Sequence, residues 1–207
     1  MLGNWFYHKR VRTAVSVFGS MFNNIYVLRQ NSSGETISQV KVPLSYAPKK
    51  SFIERLDEMV NSEEAERRVA IKLPRMSFEI TSMTYDPQRQ LPKMNSFSST
   101  VSGDVTKKNQ FYSSVPYDIG FEVNIYAKSQ DDALQMVEQI LPYFNPQYTV
   151  SVKPFNTDHP EISEDVPIIL SGVSFSDGYE GSIGDRRTII YTLSFNMKIN
   201  FYGPMST

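Results

Sequence analysis

The stretch that decides the fold is Val115 to Val152, VPYDIGFEVNIYAKSQDDALQMVEQILPYFNPQYTVSV. Ile119, Phe121, Val123 and Ile125 alternate with Gly120, Glu122, Asn124 and Tyr126. That two-residue period predicts a strand with one buried face. At Ser129 the period changes. Ser129 is placed to cap a helix, and Asp131 and Asp132 then fall in its first turn, where free amides and the helix dipole favour negative charge. Leu134, Val137, Ile140, Leu141 and Phe144 follow at helical spacing, which predicts one apolar face. Pro142 weakens the last turn and Asn145-Pro146 ends it. Tyr148, Val150 and Val152 then alternate again.

The last stretch of the chain has the same strand period. Ile189, Tyr191, Leu193, Phe195, Met197, Ile199 and Phe201 share one face. Thr188, Thr192, Ser194, Asn196, Lys198 and Asn200 share the other, broken only by Ile190. The apolar face is expected to pack on helices and the polar face to meet solvent or a neighbouring subunit. Gly178, Gly181 and Gly184 before it read as a hairpin connection, since neither a P-loop ending nor the dinucleotide spacing is present.

Towards the N-terminus, Val11, Val15, Phe18 and Phe22 predict a helix from Lys9 to about Met21. Asn24–Gln30 and Glu35–Pro43 read as strands around the hairpin loop 31–34. Pro48–Val60 reads as a short helix, Val69–Tyr85 as a strand, and Pro167–Phe175 as another. Asp86–Ser114 lacks a clear period: it is a long polar loop or an exposed hairpin, with Phe97 and Val101 available to pack. Together these elements predict a single α+β domain over residues 1–207, a mainly antiparallel sheet with helices packed on one side.

Composition narrows the function. Apolar residues make up 40% and charged residues 21%, with a net charge of −1. That balance argues against general affinity for nucleic acid or an anionic membrane. There is no cysteine, so disulfide and thiolate chemistry are excluded. No apolar run approaches the roughly 20 residues that span a bilayer. Twelve Tyr and 13 Phe serve both cores and interfaces, and Trp5, Phe6, Tyr7, Tyr143 and Phe144 cluster near element ends.

The chemistry-bearing residues form no recognisable catalytic pattern. His8 and His159 sit at no metal-ligand spacing. Asp158, Glu161, Glu164 and Asp165 match no calcium loop and read as a solvated acidic segment. Asp131 and Asp132, adjacent on a helix, do not face each other. No serine stands in a nucleophile elbow. The sequence points to no catalytic residue, no metal and no cofactor. Its cations cluster at Lys9, Arg10 and Arg12, at Lys107 and Lys108, and at Arg186 and Arg187. These are candidates for docking onto a subunit or acidic partner, where charge sets register and association rate.

Several segments, in order, resemble one family. They are Met1-Leu2-Gly3-Asn4-Trp5-Phe6-Tyr7, Phe22-Asn23-Asn24-Ile25, Val42-Pro43-Leu44-Ser45-Tyr46-Ala47, Leu73-Pro74-Arg75-Met76, Ile125-Tyr126-Ala127-Lys128, Met136 to Phe144, and Gly181 to Arg187 before the last strand. The family is that of the tail terminators of contractile-tailed bacteriophages, also called tail sheath stabiliser and completion proteins. The resemblance implies a structural virion protein, not an enzyme, assembled in the host cytoplasm. It implies a ring, a homohexamer, on the head-proximal end of the tail. That ring would stop tube growth, hold the last sheath ring and offer a neck docking face. Its partners would be its own copies, the tail sheath, the tail tube and neck or connector proteins, with no membrane and no sequence-specific nucleic acid. An adaptor that binds by strand addition at a sheet edge is the alternative class.

Overall fold

The computed structural model describes residues 5–30, 35–51, 73–101, 104–155, 163–178 and 188–204. Its centre is a six-stranded sheet in the order β3-β4-β7-β10-β9-β8. The strands are β3 (Leu44–Tyr46), β4 (Arg75–Tyr85), β7 (Val115–Ala127), β8 (Gln147–Val152), β9 (Glu164–Gly178) and β10 (Thr188–Phe201). All neighbours are antiparallel except β3 with β4. Two hairpins stand outside this sheet: β1 (Tyr26–Gln30) with β2 (Thr36–Lys41), and β5 (Ser96–Val101) with β6 (Asp104–Tyr112).

The expected alternation in β7 and β10 is present and explains their pairing. Phe121 stands opposite Phe195 and Val123 opposite Leu193, so two apolar faces merge into one. Helix α1 (Arg10–Met21) and helix α2 (Gln130–Ile140) cover that face. Phe18 of α1 is fully buried and stacks on Phe121 at 4.2 Å between ring centres, with the Phe195 ring edge-on at 5.4 Å. Such aromatic pairs add about 0.5–1.5 kcal/mol each beyond area burial. The helix approaches β4 closely at Gly19, where a Cβ would lie 2.7 Å from the Phe78 ring. The architecture is α+β: a mainly antiparallel sheet with α1 and α2 on one side, while Lys49, among the helical residues 49–51, donates to Glu79 and Thr192 on the other.

Three local readings are corrected. The stripe of α2 is turned: Ala133, Met136, Val137 and Ile140 are buried, whereas Leu134 and Leu141 are exposed. Both stripes contain Val137 and satisfy the helical period; contact with the sheet decides between them. Ser129 stands at the N-cap, but its side chain accepts no capping bond, and its carbonyl takes the Ala133 amide. The polar face of β10 is spent largely inside the chain. Thr192 is buried and donates to Asn124 Oδ1 at 2.8 Å, Asn196 donates to Asp118, and Asn200 donates to Glu164. Each partner is far off in sequence, so the period alone shows only that the face is polar.

The segment from Asp86 to Ser114 contains a hairpin, β5–β6, with Phe97 and Tyr112 exposed, preceded by a short 3-10 turn at Pro87–Arg89. Most of the helix expected over Pro48–Val60, the loop 31–34, the acidic residues Asp158 and Glu161, His159, and Arg186 with Arg187 lie outside the described residues.

Candidate functional site

Among the described residues no group of His, Asp or Glu could hold a metal ion. His8 has its Nε2 2.9 Å from the Gly203 carbonyl, and its ring lies against Phe6 and Phe155. It serves as a tie between the N-terminal segment and the end of β10. Glu164 is engaged by Arg10 and by Asn200, and Asp165 accepts from the Ser151 hydroxyl at 2.6 Å. Those two carboxylates are therefore structural.

The N-terminal cations separate. Arg10 is buried, paired with Glu164, and donates from Nε to the Asn200 carbonyl at 3.1 Å. Its guanidinium lies 5.7 Å from the Tyr202 ring centre. This arginine holds α1 to β9 and β10, so it is not available at a surface of the chain. Lys9 and Arg12 are exposed. Lys9 adopts a left-handed backbone (φ 55°), uncommon for a residue with a side chain, at the turn into α1. Lys107 and Lys108 lie on β6 of the projecting hairpin.

That hairpin is anchored at its root by charge. Asp86 accepts from Arg89 Nε at 2.7 Å and from the Gln88 amide at 3.0 Å, with Lys198 Nζ 3.5 Å away. Arg89 also bonds Asp118 at 2.9 Å and the Tyr117 carbonyl at 3.0 Å. The Arg89 hydrogen bond holds the Asp86 carboxyl below its ordinary 3.8, aided by Gln88 and Lys198 and opposed by burial. The root is thereby tied to β7 and β10. Beyond it Leu91, Met94, Phe97 and Tyr112 are exposed.

A pocket of about 500 Å³ opens where the C-terminal ends of α1 and α2 meet. Phe22, Ile140 and Phe144 are among its lining, with Asn24 and Glu138 as polar members. Tyr143 and Tyr148, also lining it, are exposed. An apolar centre with a polar margin is the pattern of a protein-binding surface. Sequence reading found Tyr143 and Phe144 as aromatics at an element end, but not the pocket. Its walls come from residues more than 100 positions apart.

On the opposite face of the sheet, Tyr126 is fully buried and its hydroxyl pairs with Ser77 at 3.1 Å. Burial pushes the Tyr126 phenol above its ordinary 10.0; the Glu79 charge acts in the same sense and the Ser77 bond against it. Nothing in this arrangement resembles a nucleophile with its base. The chemistry on display is that of surfaces.

The sequence profile of the T4-like virus Myoviridae tail sheath stabiliser family matches residues 5–207. The "Tail completion protein gp15" of Enterobacteria phage T4 is 29% identical over 204 residues, spanning 97% of this chain and 73% of that protein.

Proposed function

Because the chain belongs to the T4-like Myoviridae tail sheath stabiliser family, we propose that it closes into a homohexameric ring at the head-proximal end of the tail. It is a structural component of the virion tail, assembled in the host cell, and not an enzyme. In the proposed ring it stops growth of the tail tube, holds the last ring of sheath and presents a docking face to neck proteins. The observation that carries this reading is the family match along almost the whole chain. The fold supports it physically. A ring of identical subunits needs two different surfaces that meet head to tail. The chain carries separate features suited to that use: the β5–β6 hairpin, the apolar pocket and the exposed N-terminal aromatics. Lys9, Arg12, Lys107, Lys108, Arg186 and Arg187 are assigned to subunit, sheath or neck contacts in this reading.

The test is the mass of the purified protein by light scattering across concentration and salt, with negative-stain images of any large species. Rings of six with a central hole are expected, either alone or on addition of purified tube and sheath. A protein that stays monomeric with tube and sheath present would overturn the ring.

A further inference from the structure

Two apolar features lie at opposite ends of α1 and complement each other. Before its N-terminus, Trp5 is 90% exposed and Tyr7 58%. At its C-terminal end is the pocket floored by Phe22, Ile140 and Phe144. Twelve helical residues span about 18 Å. His8 is fixed at the far end by Gly203 and Phe155. The three residues from Trp5 to His8 reach about 10 Å at most when extended. Trp5 therefore cannot enter the pocket of its own chain.

We propose that Trp5 of one copy seats in this pocket of a second copy. The inference rests on the ring reading and names one contact within it. The pocket, about 500 Å³, falls in the roughly 300–1,000 Å³ range of clefts that take a bulky apolar group. Tryptophan is among the residue types enriched as interface anchors. Charge agrees with the pairing: Lys9 and Arg12, four and seven residues along the chain from Trp5, are exposed, and Glu138 is exposed at the pocket. Because projection and pocket are different surfaces of one chain, the contact is head to tail, the kind that closes a ring when the rotation fits.

Trp5 is the single tryptophan of the chain, so intrinsic fluorescence reports it alone. The full-length protein is followed by emission, iodide quenching and light scattering from micromolar to millimolar concentration. Emission is expected to move to the blue and quenching to fall as mass rises. Trp5→Ala is expected to weaken association by at least about thirtyfold, the effect of a hot-spot residue. Its circular dichroism and melting should stay unchanged, since the side chain is exposed. Glu138→Lys should weaken association, and adding Arg12→Glu to it should restore much of the loss. Assembled protein whose Trp5 is still freely quenched overturns this contact and leaves the ring standing. A chain that stays monomeric to millimolar with Trp5 open overturns the contact too, because both surfaces are then present and do not bind. The ring itself is judged separately, on tube and sheath.

Discussion

Gln139 pairs with Tyr26 as a neighbouring strand would: its Oε1 accepts the Tyr26 amide at 3.3 Å and its Nε2 donates to the Tyr26 carbonyl at 2.6 Å. Gln135 repeats the arrangement on Leu28, at 3.0 and 3.1 Å. Four helical residues rise about 6 Å and two strand residues about 6.6 Å, so the two side chains keep step with alternate residues of β1. The outer edge of β1 is thus closed by a helix. Gln135→Ala with Gln139→Ala should speed hydrogen exchange at Tyr26 and Leu28 and lower stability by about 1–2 kcal/mol, because solvent replaces part of what is lost. Unchanged exchange at those two amides would show that the pairing holds nothing in place.

Gly19→Ala sets two effects against each other. Alanine gains about 1 kcal/mol in helix propensity, but its Cβ would lie 2.7 Å from Phe78, a buried ring that also meets Phe18 and Tyr46. Overpacking costs about 1–3 kcal/mol, so net destabilisation is expected. In a Phe78→Leu background the same change should become neutral or favourable. A double-mutant cycle by chemical denaturation reads the coupling directly.

The anchor of the β5–β6 hairpin should respond to acid. Asp86 has its folded-state pKa depressed, so its contribution is present above the unfolded value and is lost as pH falls through the lower folded value. The root should therefore stay closed near pH 4 and open only in stronger acid. Arg89→Met removes the largest cause of the depression and should move the Asp86 titration up towards 3.8. Carboxyl chemical shifts against pH measure it, and an unmoved titration would remove Arg89 from the account.

Tyr126 gives the opposite dependence. Its folded pKa is raised, so its share of stability is intact below about pH 10 and declines as pH rises beyond that. Tyr126→Phe should flatten alkaline unfolding while costing about 1–2 kcal/mol at neutral pH, where the Ser77 hydroxyl loses a partner. Some alkaline slope should persist, since burial and the Glu164 charge also raise Tyr202. A variant with the wild-type alkaline slope would sink the assignment.

Arg186 and Arg187 are read from the sequence alone as docking charges, so Arg186→Glu with Arg187→Glu should leave the fold intact. Assembly or sheath attachment should suffer. Tails completed at the normal rate by the double variant would make both arginines bystanders.

What was legible in the sequence was whatever has a short period. β7 and β10 were plain because Ile119 to Ile125 and Ile189 to Phe201 alternate without tertiary help. The hairpin around 31–34 followed from turn residues between extended runs, whereas Asp86–Ser114 has no clear period and left a long loop and an exposed hairpin as alternatives. The phase of α2 was not legible. Leu134 outranks Ala133 in hydrophobicity, but Ala133 is the residue that faces the core. Arg10 looked like one cation among several because its partner Glu164 lies 154 residues away. The pocket was hidden for the same reason, being a meeting of two helix ends.

The strand order has a kinetic consequence. β10 lies between β7 and β9, bonded to both along most of its length, yet it follows both in the chain. During synthesis β3, β4 and β7 can form one half-sheet, and β8 with β9 another, but among the described residues no strand pairing joins them until residues 188–201 emerge. Phe18 and Phe121 would wait without Phe195, the ring that completes their cluster. Such late, long-range closure is slow. A subunit whose β10 has not yet been synthesised therefore lacks a finished core, and the platform beneath both helices is complete only after that strand has been inserted.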